Sequence, residues 1–137
     1  MTNHADIVPS RSGANLPRLS EASRDLDARL RSTADPDGVA FDPHPVLLEA
    51  TSIVDTTTRC GDLDIAFVPD GTDGHDDLAA RAISFDINGL VVRVAALSDT
   101  IRSKEAANRP KDHATLPLLY ALREELAIDA KTRRTEA

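Results

Sequence analysis

Cysteine is almost absent: Cys60 is the single one in 137 residues, which excludes an internal disulfide framework and any multi-cysteine zinc site, and fits a reducing compartment. Long apolar runs are missing as well. No stretch approaches the roughly 20 residues needed to cross a bilayer, and Met1-Thr2-Asn3-His4 leads into acidic sequence without a signal-peptide pattern. A cytoplasmic protein with no membrane partner is expected. Positive charge is in deficit: 16 Lys plus Arg against 23 Asp plus Glu give a formal charge of −7. That balance disfavours a broad nonspecific nucleic-acid surface while leaving room for a local basic pocket. No phosphate-binding glycine loop and no nucleophile elbow occur. The four histidines, His4, His44, His75 and His113, form no pair at a helical metal-ligand spacing, so a histidine zinc site is not expected. No spacing of Ser, His and Asp picks out a triad, and Cys60 beside a glycine turn reads as a small filler rather than a nucleophile.

What is present suits a globular chain. With 41% hydrophobic and 28% charged residues, a packed core is within reach at this length, and one α/β domain over residues 1–131 with a frayed polar tail at 132–137 is the expected organisation. After a short extended piece at residues 5–8, Leu16, Leu19, Ser23, Leu26 and Leu30 recur at steps of three and four, which predicts a helix over 15–31 with Asn15 as its cap. Residues 32–45 read as a Pro-, Asp- and Gly-rich loop, followed by one helical turn at 46–49. Residues 52–58 are dense in β-branched side chains and residues 62–68 alternate, predicting a hairpin in which Leu63, Ile65 and Phe67 share one face while Asp62 and Asp64 share the other. A short helix is expected at 76–81. Strands at 83–87 and 90–94 flank Asn88-Gly89, the strongest short hairpin signal. Two helices close the chain, one from Ser98 to about Asn108 and one from His113 to about Lys131, with Pro110 breaking the first and Asp112 capping the second. The fold expected is a small mixed or antiparallel sheet with helices packed on one face.

Two places could carry chemistry. Asp6 and Asp64 each lie between apolar neighbours inside an expected strand, where a carboxylate is poorly solvated and favours a cation; two such groups on adjacent strands suit Mg²⁺, which takes oxygen ligands. Read singly, each is more often a polar residue on a wetted strand face, and Asp62, at the turn, is the weaker candidate. Ser103-Lys104 and Arg109-Pro110-Lys111-Asp112 place cations where one helix ends and another begins, a position that suits phosphate. On spacing alone a solvated helix corner is the commoner explanation.

Taken together, the order of a strand acid, a helix, a hairpin with a second strand acid, and the run VRVAALSDTIRSKEAANRPKDHATLPLL resembles the small bacterial nucleotidyltransferase-like proteins of the DNA polymerase β superfamily. These include toxin-like abortive-infection members. The resemblance covers nearly the whole chain and is most specific from Val94 to Leu119. It implies a nucleotidyltransferase-like fold that transfers a nucleoside monophosphate from a triphosphate to an acceptor hydroxyl with Mg²⁺ or Mn²⁺, pyrophosphate leaving. Asp6 then stands at the second acid position and Asp64 at the third, with His4 where the family has its first acid, so His4, Asp6 and Asp64 become the implied metal ligands. Lys104 is directed at triphosphate oxygens, and Lys111-Asp112 forms the corner.

Two departures from the family shape the expectation. Histidine at position 4 removes a negative charge from the metal site, and the family's glycine-bearing helix before the first strand is not in this sequence, as in an N-terminally truncated member. Activity is therefore expected to be reduced or absent. The acceptor, transfer RNA or a protein among them, is not specified by any residue. The alternative is a non-catalytic interaction protein, of toxin–antitoxin type or homo-oligomeric, that keeps the fold.

Overall fold

The computed structural model describes residues 4–137. They form a mixed α/β protein with a four-stranded mixed sheet, a two-stranded sheet and five helices. Contacts divide the chain into two compact units, Met1–Pro69 and Asp70–Ala137. Among the described residues, no helix is long and apolar enough to cross a membrane.

The first unit holds β1 (His4–Ile7), α1 (Asn15–Asp25), β2 (Arg29–Leu30), α2 (Pro45–Ala50), β3 (Ile53–Thr58) and β4 (Gly61–Ala66). Its strands run in the order β1-β4-β3-β2. The expected hairpin forms as β3 and β4, with Val54 opposite Ile65 and Asp55 opposite Asp64. β1 lies parallel to β4, with Asp6 opposite Asp64.

Alternation then sorts the side chains. Val54, Ile65 and Phe67 join Leu16 and Leu19 of α1 and Leu48 of α2 in one buried cluster, against which Ile7, Phe41 and Leu63 pack. Leu48 is wholly buried, an apolar transfer of about 1.5–3 kcal/mol. Thr56 is buried in the same face and donates its hydroxyl to the Leu63 carbonyl at 2.7 Å, so its polar atom is satisfied. Helices thus cover one face of this sheet, and the other carries polar side chains.

α1 stops at Asp25, short of the end expected near Arg31. The Leu26 and Leu30 spacing fits a helix, but Asp27 takes a left-handed conformation at φ 53° and Arg29 and Leu30 pair instead with Thr57 and Thr56. Strand pairing supplies backbone partners that a longer helix would have supplied locally. Asn15 does not cap the helix; its Nδ2 donates to the Ser10 carbonyl at 2.9 Å, and Ser12 Oγ accepts the Asn15 N–H at 3.2 Å.

The second unit holds α3 (His75–Ala79), β5 (Ile83–Ile87), β6 (Leu90–Val94), α4 (Leu97–Ala107) and α5 (Pro110–Glu136). The Asn88-Gly89 hairpin forms as expected, with both residues at positive φ, but as a separate two-stranded sheet. α4 starts from Ala96, whose carbonyl accepts the Asp99 and Thr100 N–H groups, rather than from Ser98. Asn108, left-handed at φ 52°, ends it. Pro110 opens α5 instead of merely breaking α4, because a proline in the first turn needs no N–H partner. Asp112 sits one turn into that helix and accepts the Arg109 N–H at 3.1 Å. α5 continues to Glu136, through the tail expected to fray.

Candidate metal centre

The polar face of the four-stranded sheet gathers the acids. A row of three carboxylates, Asp6, Asp64 and Asp55, crosses three adjacent strands, and the next row holds His4, Asp62 and Thr57. His4 and Asp6 share a face because they are two residues apart on β1; Asp62 and Asp64 do so on β4.

His4 Nε2 lies 3.2 Å from Asp6 Oδ1 and 3.2 Å from Asp64 Oδ2. Arg31, just beyond β2, reaches across the face. Its Nη2 donates to Asp64 Oδ1 and, at 3.3 Å, to the Thr56 carbonyl, while its Nε stands 3.5 Å from Asp62 Oδ2. Asp55 has no ion-pair partner among the described residues. Like charges directly opposite on paired strands repel, and the Arg31 guanidinium offsets that repulsion at Asp64.

One ligand atom each from His4, Asp6 and Asp64 falls within 4.8 Å of the others. Two ligands each about 2.1 Å from an ion are up to ~4.2 Å apart, so small side-chain adjustments let all three donors meet one divalent cation. A nitrogen beside two carboxylate oxygens moves the preference away from hard Mg²⁺ and toward Mn²⁺ or a later transition ion.

The other expected site residues lie in the second unit. Lys104 Nζ stands 3.5 Å from Asp112 Oδ1, and Arg109 Nε donates to Asp112 Oδ2 at 2.7 Å. Asp112 is fully buried. The Arg109 side chain, with help from its backbone N–H and from Lys104, lowers the Asp112 carboxyl to about 2 against the opposing pull of desolvation. Lys111 is exposed. This corner is an ion-paired helix junction built on Asp112.

Three residues of the polar face were not singled out from sequence. Asp55 carries the same signal as Asp6 and Asp64, a carboxylate after an apolar strand residue, inside a β-branched run. Asp62, beside the expected turn, lies within β4. Arg31 falls at the end of the helical spacing over 15–31, yet follows β2. The second unit holds a further network that no spacing in the sequence announces: Arg81 Nη2 lies 2.7 Å from the buried Asp99, and Arg102 Nη2 lies 2.8 Å from Asp77. The Asp73 N–H, followed by Arg102 and Arg81, holds the Asp77 carboxyl below its ordinary range although burial pulls the other way.

No protein-family model, curated protein or solved structure matches the chain.

Proposed function

We propose that the polar face of the four-stranded sheet is a divalent-metal site of a nucleotidyltransferase-like protein, taking Mn²⁺ in preference to Mg²⁺ and, through the ion, the phosphates of a nucleoside triphosphate. The observation that carries this reading is the parallel register of β1 on β4, which brings His4, Asp6 and Asp64 together. A bound ion would neutralise phosphate charge and polarise a phosphoryl oxygen. The chain's own part is positioning: Asp6 and Asp64 offer oxygens from adjacent strands, and His4 offers Nε2 between them. Histidine in place of a third carboxylate leaves the site one negative charge poorer, which supports weak or absent transfer activity. The acceptor would be a hydroxyl, on transfer RNA or a protein among the alternatives.

Calorimetric titration with Mn²⁺, then with each nucleoside triphosphate in its presence, tests the reading. Saturable Mn²⁺ binding is expected, weakened in Asp64→Asn by at least about tenfold, the lower end of what losing even an outer partner of a metal ligand costs. A folded protein that binds neither ion nor nucleotide sinks it. A second reading, a non-catalytic interaction protein, has its own support in the second unit, where Ile83, Phe85, Ile87, Leu90 and Val94 of the hairpin are exposed on one face. Transfer activity appearing in His4→Asp would weigh against that alternative.

A further inference from the structure

Deepening the metal reading, and resting on it, we propose that Arg31 is a built-in counter-cation that limits this cluster to one divalent ion. The two oxygens of Asp64 are divided between different partners. Oδ2 lies 3.2 Å from His4 Nε2, whereas Oδ1 accepts from Arg31 Nη2. Asp64 can therefore give an ion one oxygen without losing its arginine. A second ion would need Oδ1, together with an oxygen of Asp62 or Asp55, the carboxylates beside Asp64 on its own strand and on β3. Arg31 already stands among those oxygens, with Nε 3.5 Å from Asp62 Oδ2.

Its position is held by backbone as well as by charge. The Arg31 N–H bonds the Asp55 carbonyl at 2.9 Å and its Nη2 also reaches the Thr56 carbonyl, so the guanidinium is anchored on β3 while it faces β4. A planar guanidinium remains charged throughout the accessible pH range and spans two carboxylates with fixed donors. It provides from inside the chain the positive charge that a second ion would provide from solvent. Removing it takes the guanidinium from Asp62 and Asp64, with Asp55 opposite Asp64 on β3, and leaves the oxygen-rich, anionic setting that hard divalent ions occupy.

Counting bound Mn²⁺ by the loss of the free-ion electron paramagnetic resonance signal tests this. One ion per chain is expected in the wild-type protein, two in Arg31→Gln, and one again in Arg31→Lys, which keeps the charge. Returning the second ion to solvent by adding Asp55→Asn or Asp62→Asn to Arg31→Gln would place it on the β3–β4 acids. Two ions in the wild type, or one in both the wild type and Arg31→Gln, would overturn the role of Arg31 while leaving the metal site standing. No ion in the folded wild type overturns the metal reading and this inference together. Should Arg31→Gln fail to fold, the wild type alone decides: with diamagnetic Zn²⁺ at saturation, the Arg31 Nε–H resonance should persist in its ion-paired position. Its collapse into exchange with water would show that the ion had displaced the arginine.

Discussion

Gly38 shows how much a single residue can constrain this fold. Its φ of +77° lies in the left-handed region, and a Cβ there would stand 2.8 Å from the Leu30 carbonyl and 2.9 Å from Thr57 Cγ2. Both neighbours belong to the β2–β3 edge from which Arg31 departs. Gly38→Ala should therefore destabilise the protein by more than the roughly 1–2 kcal/mol of the left-handed conformation alone, read as a lower urea midpoint. Leu48 makes a different residue-scale argument, since it is wholly buried between α2 and the sheet. Leu48→Ala should cost about 2–5 kcal/mol, depending on how far the cluster closes over the gap. The polar face should tolerate Asp55→Asn far better, because that change relieves repulsion against Asp64 and buries nothing.

Among the elements, the α4–α5 corner carries a pH dependence whose direction follows from Asp112. Its carboxyl is held at about 2 in the folded protein by Arg109 and Lys104, below the ordinary value of about 3.9 in an unfolded chain. The stabilisation is complete above about pH 4 and is lost as the pH falls toward 2, because the unfolded state then binds the proton more readily. Tyr120 is the only tyrosine, there is no tryptophan, and its hydroxyl donates to Glu105 of α4 at 2.5 Å. Its fluorescence consequently reports on this helix pair. The thermal midpoint followed by tyrosine emission should drop between pH 4 and pH 2, and Asp112→Asn should lower the pH 7 midpoint while removing this group's share of the acid slope.

At the scale of the molecule, net charge and exposed apolar surface act in opposite directions. The formal charge is −7 and the isoelectric point about 5.0, so mutual repulsion keeps chains apart near neutral pH and fades as the pH approaches 5. The hairpin face of Ile83, Phe85, Ile87, Leu90 and Val94, with half or more of most of these side chains open to water, then becomes a surface for association. Light scattering should rise to a maximum near pH 5, and Phe85→Ser should reduce it without moving the pH at which it peaks.

Elements whose signals are local could be read from the residues alone. Alternation over residues 62–68 placed Ile65 and Phe67 in the core and Asp62 and Asp64 opposite them, and Asn88-Gly89 specified its turn through the positive φ that both residues adopt. Apolar flanks likewise marked Asp6 and Asp64 as strand carboxylates. Tertiary structure alone decided the rest, because the deciding partners are distant in the chain. Arg29 and Leu30 left a helical pattern for hydrogen bonds to β3, nearly thirty residues on, and this change of partner delivered Arg31 to Asp64. Parallel pairing of β1 with β4 set the register that unites His4 with two acids; a shift of one residue would have turned His4 and Asp6 to the other face. Periodicity fixes which way a side chain points on its own element, whereas only the pairing of elements fixes what it meets.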